Sequence, residues 1–172
     1  VTWPLGMGKA FRGVWHLLDN RLLRFTPGGE KLSDDTEVID FNALGGADTV
    51  VVHDLSGTDM AEVRIDLAGT PGGTVGDGQA DRVIVEGTTG DDAVTLTMQG
   101  DTLFVDGLAS RIVVEHFDAD LDRLEFRGLA GDDVIDASSL AAGGMVLNVD
   151  AGAGDDVVLG GVSVELVQVG SL

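Results

Sequence analysis

Five times in this chain a turn-forming stretch ends in an aspartate that leads straight into a short aliphatic run. The five are Gly45-Gly46-Ala47-Asp48-Thr49-Val50-Val51, Gly78-Gln79-Ala80-Asp81-Arg82-Val83-Ile84, Gly90-Asp91-Asp92-Ala93-Val94, Gly131-Asp132-Asp133-Val134-Ile135 and Gly154-Asp155-Asp156-Val157-Val158. Glycine and aspartate favour tight turns: the first tolerates a left-handed backbone, and the second hydrogen-bonds its own loop. Valine and isoleucine favour the pleated surface of a strand. The unit therefore reads strand, turn, strand, turn.

From about residue 36 the hydrophobic period is 2. Short strand-like runs continue to Val169, among them Arg82–Glu86, Thr102–Asp106, Arg123–Arg127 and Met145–Val149. No convincing helix intervenes, which leaves a sandwich, a barrel or a solenoid. Internal repetition decides for the solenoid. The five aspartates are separated by 33, 11, 41 and 23 residues, and the last gap suits one coil. Residues 69–78, containing Thr70-Pro71-Gly72-Gly73, read as a loop inserted into one coil. The expected fold is all-β: a right-handed parallel β-solenoid, β-helix- or β-roll-like, with irregular coils over residues 26–172.

Residues 1–25 differ. Phe11, Val14, Trp15, Leu18 and Leu22 fall at helical spacing, although Gly13 weakens the pattern. This segment is expected to form an N-terminal cap with a short amphipathic helix, the competing explanation being a non-native leader. Val1 stands where an initiator Met would, and no signal peptide is present, so the chain reads as a fragment or a processed product.

Composition narrows the function. The formal net charge is −20, and residues 32–172 hold 28 acidic residues against five basic ones. Such a body repels polyphosphate, so nucleic acid is a poor partner. It also repels itself unless a cation neutralises it. There are no cysteines, which excludes disulfides and thiolate metal sites. No apolar run approaches the length of a membrane span. His16, His53 and His116 are dispersed without metal-ligand spacing. Gly6-Met7-Gly8-Lys9-Ala10 lacks the earlier Gly and the Ser/Thr of a phosphate loop.

The turns themselves carry chemistry. Glycines let the backbone present its carbonyls, and the aspartate adds a charged oxygen. Ca²⁺ takes six to eight oxygens, more than one such turn supplies, but two turns stacked at strand spacing can share an ion. The candidate ligating positions are Asp156, Asp133, Asp92, Asp48 and Asp81, with Gly154, Gly131 and Gly90 beside them. The aliphatic residue after each aspartate is expected to fill the core.

These segments resemble the nonapeptide Gly-Gly-x-Gly-x-Asp-x-U-x of RTX proteins, U being a large aliphatic residue. Ala151–Leu159 departs from it at the first position; Gly87–Thr95 and Gly128–Asp136 depart at the second. Residues 21 to about 161 look like the irregular region that adjoins RTX repeats in bacterial haemolysin-type calcium-binding proteins. The resemblance implies Ca²⁺ as cofactor, secretion by a type I route and a parallel β-roll or β-helix; the chain is expected to be a non-catalytic structural module, with cell-surface or extracellular polysaccharide as a candidate partner. Two alternatives stand beside it: a metal-free adhesive or spacer solenoid, and a polysaccharide-acting β-helix lyase or epimerase with Arg64, Arg82, Arg111, Arg123 and Arg127 lining a groove.

Overall fold

Arg123–Arg127 alternates polar and apolar residues, and Thr102–Asp106 does so except at Phe104. In the computed structural model both are strands that bury every second side chain. The structure describes residues 37–140 and 144–161, together with the backbone of strands at 2–5, 13–16, 21–24 and 164–168. It is all-β, with no helix among the described residues. Two compact units appear, Val1–Asp35 and Thr36–Leu172.

The first unit holds β1 (Thr2–Leu5), β2 (Gly13–His16) and β3 (Arg21–Arg24) in one antiparallel sheet of order β1-β2-β3. This corrects the expected helical cap: Val14, Trp15 and Leu22 lie on strands. Trp3 is the register partner of Trp15, and Trp15 of Leu22. Two of the apolar residues spaced for a helix, Trp15 and Leu22, are thus brought side by side across a sheet. Gly13 costs a helix about 1 kcal/mol, whereas Val14 and Trp15 are strand formers. Phe11, Leu18 and residues 6–10 lie outside the described residues.

The second unit contains β4 (Glu37–Asn42), β5 (Thr49–Val52), β6 (Met60–Asp66), β7 (Arg82–Glu86), β8 (Ala93–Gln99) and β9 (Thr102–Asp106). It continues with β10 (Arg111–Glu115), β11 (Arg123–Arg127), β12 (Val134–Asp136), β13 (Val146–Asp150), β14 (Val157–Leu159) and β15 (Val164–Gln168). One sheet has the order β14-β12-β8-β9-β10-β6-β4, the other β15-β13-β11-β7-β5. From β10 to β15 the chain alternates between the two sheets.

Every pairing in these two sheets is parallel except those of β9, which is antiparallel to both β8 and β10. That hairpin is a departure from an all-parallel arrangement. Gly100 and Asp101 form its two-residue loop, with Gly100 at a φ of 61°. A tight loop of this kind requires a left-handed first residue, which glycine accepts without strain.

Parallel register stacks identical positions. Val50, Val83, Leu124 and Leu147 are successive partners across the smaller sheet, as are Val52, Val85, Phe126 and Val149. Among the described residues Phe126 is the largest side chain that is fully buried. The interior is otherwise Val, Ile, Leu, Ala and Met, sizes that pack densely between two sheets. Outward positions carry ion pairs: Arg64–Glu62, Arg111–Asp106, Arg82–Glu125, and Arg127 with both Glu125 and Glu86.

Candidate metal centre

The residue two places after each motif aspartate faces the core. Val83, Val94 and Ile135 are buried, and Val50 and Val158 pack against the same cluster. With the strand orientation set by that side chain, the aspartate before it sits at the corner where the turn enters the strand. Corners from successive passes stack, which forms two columns of aspartates.

The first column is Asp92, Asp133 and Asp156. The N–H of Asp92 donates to Asp133 Oδ1 at 2.9 Å, and the N–H of Asp133 donates to Asp156 Oδ1 at 3.0 Å. A parallel outer rung runs beside it: Asp132 N–H donates to Asp91 Oδ1 and Asp155 N–H to Asp132 Oδ1, each at 2.9 Å. The second column is Asp48, Asp81 and Asp122. Asp48 N–H donates to Asp81 Oδ1 at 2.7 Å, and Asp81 N–H to Asp122 Oδ1 at 2.8 Å. The irregular spacings resolve accordingly. Gaps of 33, 41 and 23 join neighbours in a column, whereas Asp81 and Asp92 flank β7 and belong to different columns.

Asp122 belongs to this ladder although its sequence hides it. It closes Asp118-Ala119-Asp120-Leu121-Asp122, which has no glycine. The signal was the Asp-Arg-aliphatic continuation it shares with Asp81. Asp77 and Asp118 join it: Gly46 N–H donates to Asp77 Oδ2 at 2.6 Å and Gly78 N–H to Asp118 Oδ2 at 2.7 Å.

The second carboxylate oxygen separates the turns into two kinds. Asp92 Oδ2 accepts the N–H of Thr88, and Asp122 Oδ2 that of Asp118, each at 2.7 Å. Those turns are closed on themselves. In Asp48, Asp133 and Asp156 the residue four places earlier is left-handed (Leu44, Leu129 and Gly152 at φ 68°, 73° and 95°). In these three, Oδ2 is buried and has no hydrogen-bond partner; the same holds for Asp81. The three left-handed turns share a second glycine two before the aspartate: Gly46, Gly131 and Gly154, at φ 134°, 123° and 148°.

Charge at these corners is uncompensated. Among the described residues no Lys, Arg or His side chain pairs with any of these aspartates; the ion pairs lie on the sheet faces. Asp133 is 0% exposed and Asp81 is 3% exposed. Burial pushes the Asp133 carboxyl above the usual carboxylate range, and the charges of Asp92, Asp156 and Asp91 push it further, against the hydrogen bond from Asp92. Burial likewise raises Asp81 and Asp122. Among the described residues, no group of three or more His, Cys, Asp or Glu side chains converges to hold a metal ion. A cation at a corner would rely on one or two carboxylates together with backbone carbonyls.

Fold and corners together define an all-β protein of stacked parallel strands with aspartate-lined turns. A 39-residue stretch, 23% of this chain, is 69% identical to part of peptide chain release factor 3 from Aromatoleum aromaticum; the match covers 7% of that protein. No family model matches the chain, and no solved structure matches it. No helix among the described residues is long and apolar enough to cross a membrane.

Proposed function

We propose that this chain is a non-catalytic, calcium-binding β-solenoid module of a secreted RTX-like bacterial protein, with right-handed coils formed by the alternating sheets. The observation that carries the reading is the Asp133–Asp156 step. Two adjacent turns each bury a carboxylate oxygen that no donor satisfies, with no basic side chain to neutralise it. An isolated buried carboxylate is expensive, so such a group either takes a proton or pairs with a cation. A hard divalent cation suits oxygen donors of this kind. Ca²⁺ would be held by the Asp133 and Asp156 carboxylates and by carbonyls of the turns at Gly131 and Gly154. Asp92 is a weaker candidate than its motif suggests, since its own turn already occupies both oxygens.

The test is thermal unfolding of the full chain, followed by circular dichroism, in excess Ca²⁺ and in chelator. The reading expects a higher midpoint in Ca²⁺, with binding at a hundredfold excess over Kd contributing about 2.7 kcal/mol per site. Identical melts would remove calcium and leave a passive spacer. The spacer reading draws on one observation: Oδ1 of Asp81, Asp122, Asp133 and Asp156 already accepts a backbone N–H, which is a purely structural use.

A further inference from the structure

β4 is the outermost strand of the larger sheet, and all six of its residues are exposed. Ile39 and Phe41 are the register partners of Val63 and Ile65 on β6, so they stand in the same inward rows. Yet Ile39 and Phe41 are 40% and 43% exposed, against 5% and 0% for Val63 and Ile65. The core therefore ends on an uncovered apolar rung. The backbone ends open as well. Ala43 N–H donates to the carbonyl of Asp66, and a parallel ladder uses alternate residues, so Phe41 and Ile39 also turn their N–H and C=O toward β6. Val38, Asp40 and Asn42 turn theirs to the open side. An edge of this kind is a template for one more strand.

Charge selects the occupant. Residues 37–63, which form β4, β5 and the start of β6, contain six acidic residues and no Lys or Arg. The register partner of Asp40 is Arg64, whose guanidinium already donates to Glu62 at 2.6 Å. A second copy of the chain would set like charge against this edge. A strand with aliphatic residues at alternate positions and Lys or Arg between them complements it. Its aliphatic side chains extend the rows of Ile39 and Phe41, and its basic ones lie beside Asp40. We infer that the β4 edge is an interaction surface that takes up such a basic strand of a partner protein by strand addition. The inference is independent of the calcium reading, since no corner carboxylate takes part in it.

The probe is a capped eight-residue peptide of alternating Lys and Val, added to the full chain while amide exchange is followed by NMR. Exchange at Val38, Asp40 and Asn42 should slow by about tenfold or more. A Lys-Ser peptide keeps the charge without the aliphatic rows, and a Glu-Val peptide keeps the rows with the charge reversed; neither should protect these amides. Asn42→Pro removes an N–H that faces away from β6 and leaves Asp40 in place. It should weaken binding of the Lys-Val peptide by about tenfold, a change of about 1.4 kcal/mol, while the strand signature in circular dichroism is unchanged. Absence of binding overturns the inference, as does binding that leaves the three amides unprotected, which would place the peptide elsewhere on the acidic surface. Equal protection by the Glu-Val peptide overturns the basic partner. Protection already present in the free chain overturns the open edge, and if it rises with protein concentration the occupant is a second copy.

Discussion

The backbone N–H of Asp133 donates to Oδ1 of Asp156, 23 residues later, at 3.0 Å, while Asp133 presents its own Oδ1 to the N–H of Asp92. Asp133, in the middle of the column, is therefore both a rung and a socket. The hydrogen bonds align the turns, and the alignment stacks like charges at strand spacing. The ladder orders the corner and repels itself at once.

That tension predicts opposite effects for one substitution under two conditions. Asp133→Asn keeps an oxygen to accept the Asp92 N–H but removes the buried charge. In chelator at pH 7 the variant should melt at or above the wild type; in excess Ca²⁺ it should melt below it. Circular-dichroism melts decide the matter, and an equal loss in both conditions would make Asp133 a turn former only.

Acidification should close the gap in chelator. Burial and neighbouring aspartates raise the Asp133 carboxyl, so the native state holds a proton that the unfolded chain has released. Stability from this group is therefore greatest at low pH and is lost as pH rises through its folded value. The wild type should gain on Asp133→Asn as pH falls from 7 toward the ordinary aspartate value of about 4. Urea unfolding of both proteins across that range measures it. A gap that widens on acidification contradicts the assignment.

Stacking of the turns leaves no room for a side chain at Gly154. A Cβ there would lie 2.0 Å from the Gly131 carbonyl oxygen, on a backbone at φ 148°. Gly154→Ala should cost more than about 2 kcal/mol, through both the clash and the strain. Gly57→Ala meets nothing within 4 Å and bears only a left-handed φ of 81°, so it should cost less. Paired denaturant titrations test the ranking.

Core and surface should differ as sharply. Phe126→Ala removes the largest fully buried side chain and should cost about 3–5 kcal/mol. Arg111→Ala breaks an exposed pair with Asp106, worth about 1 kcal/mol or less. Equal losses would mean that Phe126 does not hold the two sheets together.

Much of the second unit was legible because its period is 2 and its turns are marked by glycine and aspartate. The expected runs Arg82–Glu86, Thr102–Asp106 and Arg123–Arg127 are β7, β9 and β11 residue for residue, and Met145–Val149 is displaced by one from β13. The inward-facing aliphatic residue two places after each aspartate was legible too, since alternation alone dictates it. The first unit misled because Val14, Trp15 and Leu22 satisfy helical spacing and cross-strand register alike. Trp15 and Leu22, seven residues apart, meet on one face of a helix and also as cross-strand partners of neighbouring strands, so local spacing does not distinguish the two.

By itself, the sequence determined that short β-branched runs would become strands and that Asp48, Asp81, Asp92, Asp133 and Asp156 would stand at turns. Those are local properties of residue type and period. Only the tertiary structure decided which turns lie on one column, that Asp122 and Asp77 join them without the motif, and that Asp92 closes on Thr88 while Asp133 is left with a bare buried oxygen. These depend on which passes become neighbours and on the left-handed backbone at Leu44 and Leu129, a conformation that leucine adopts only under the constraint of the stack.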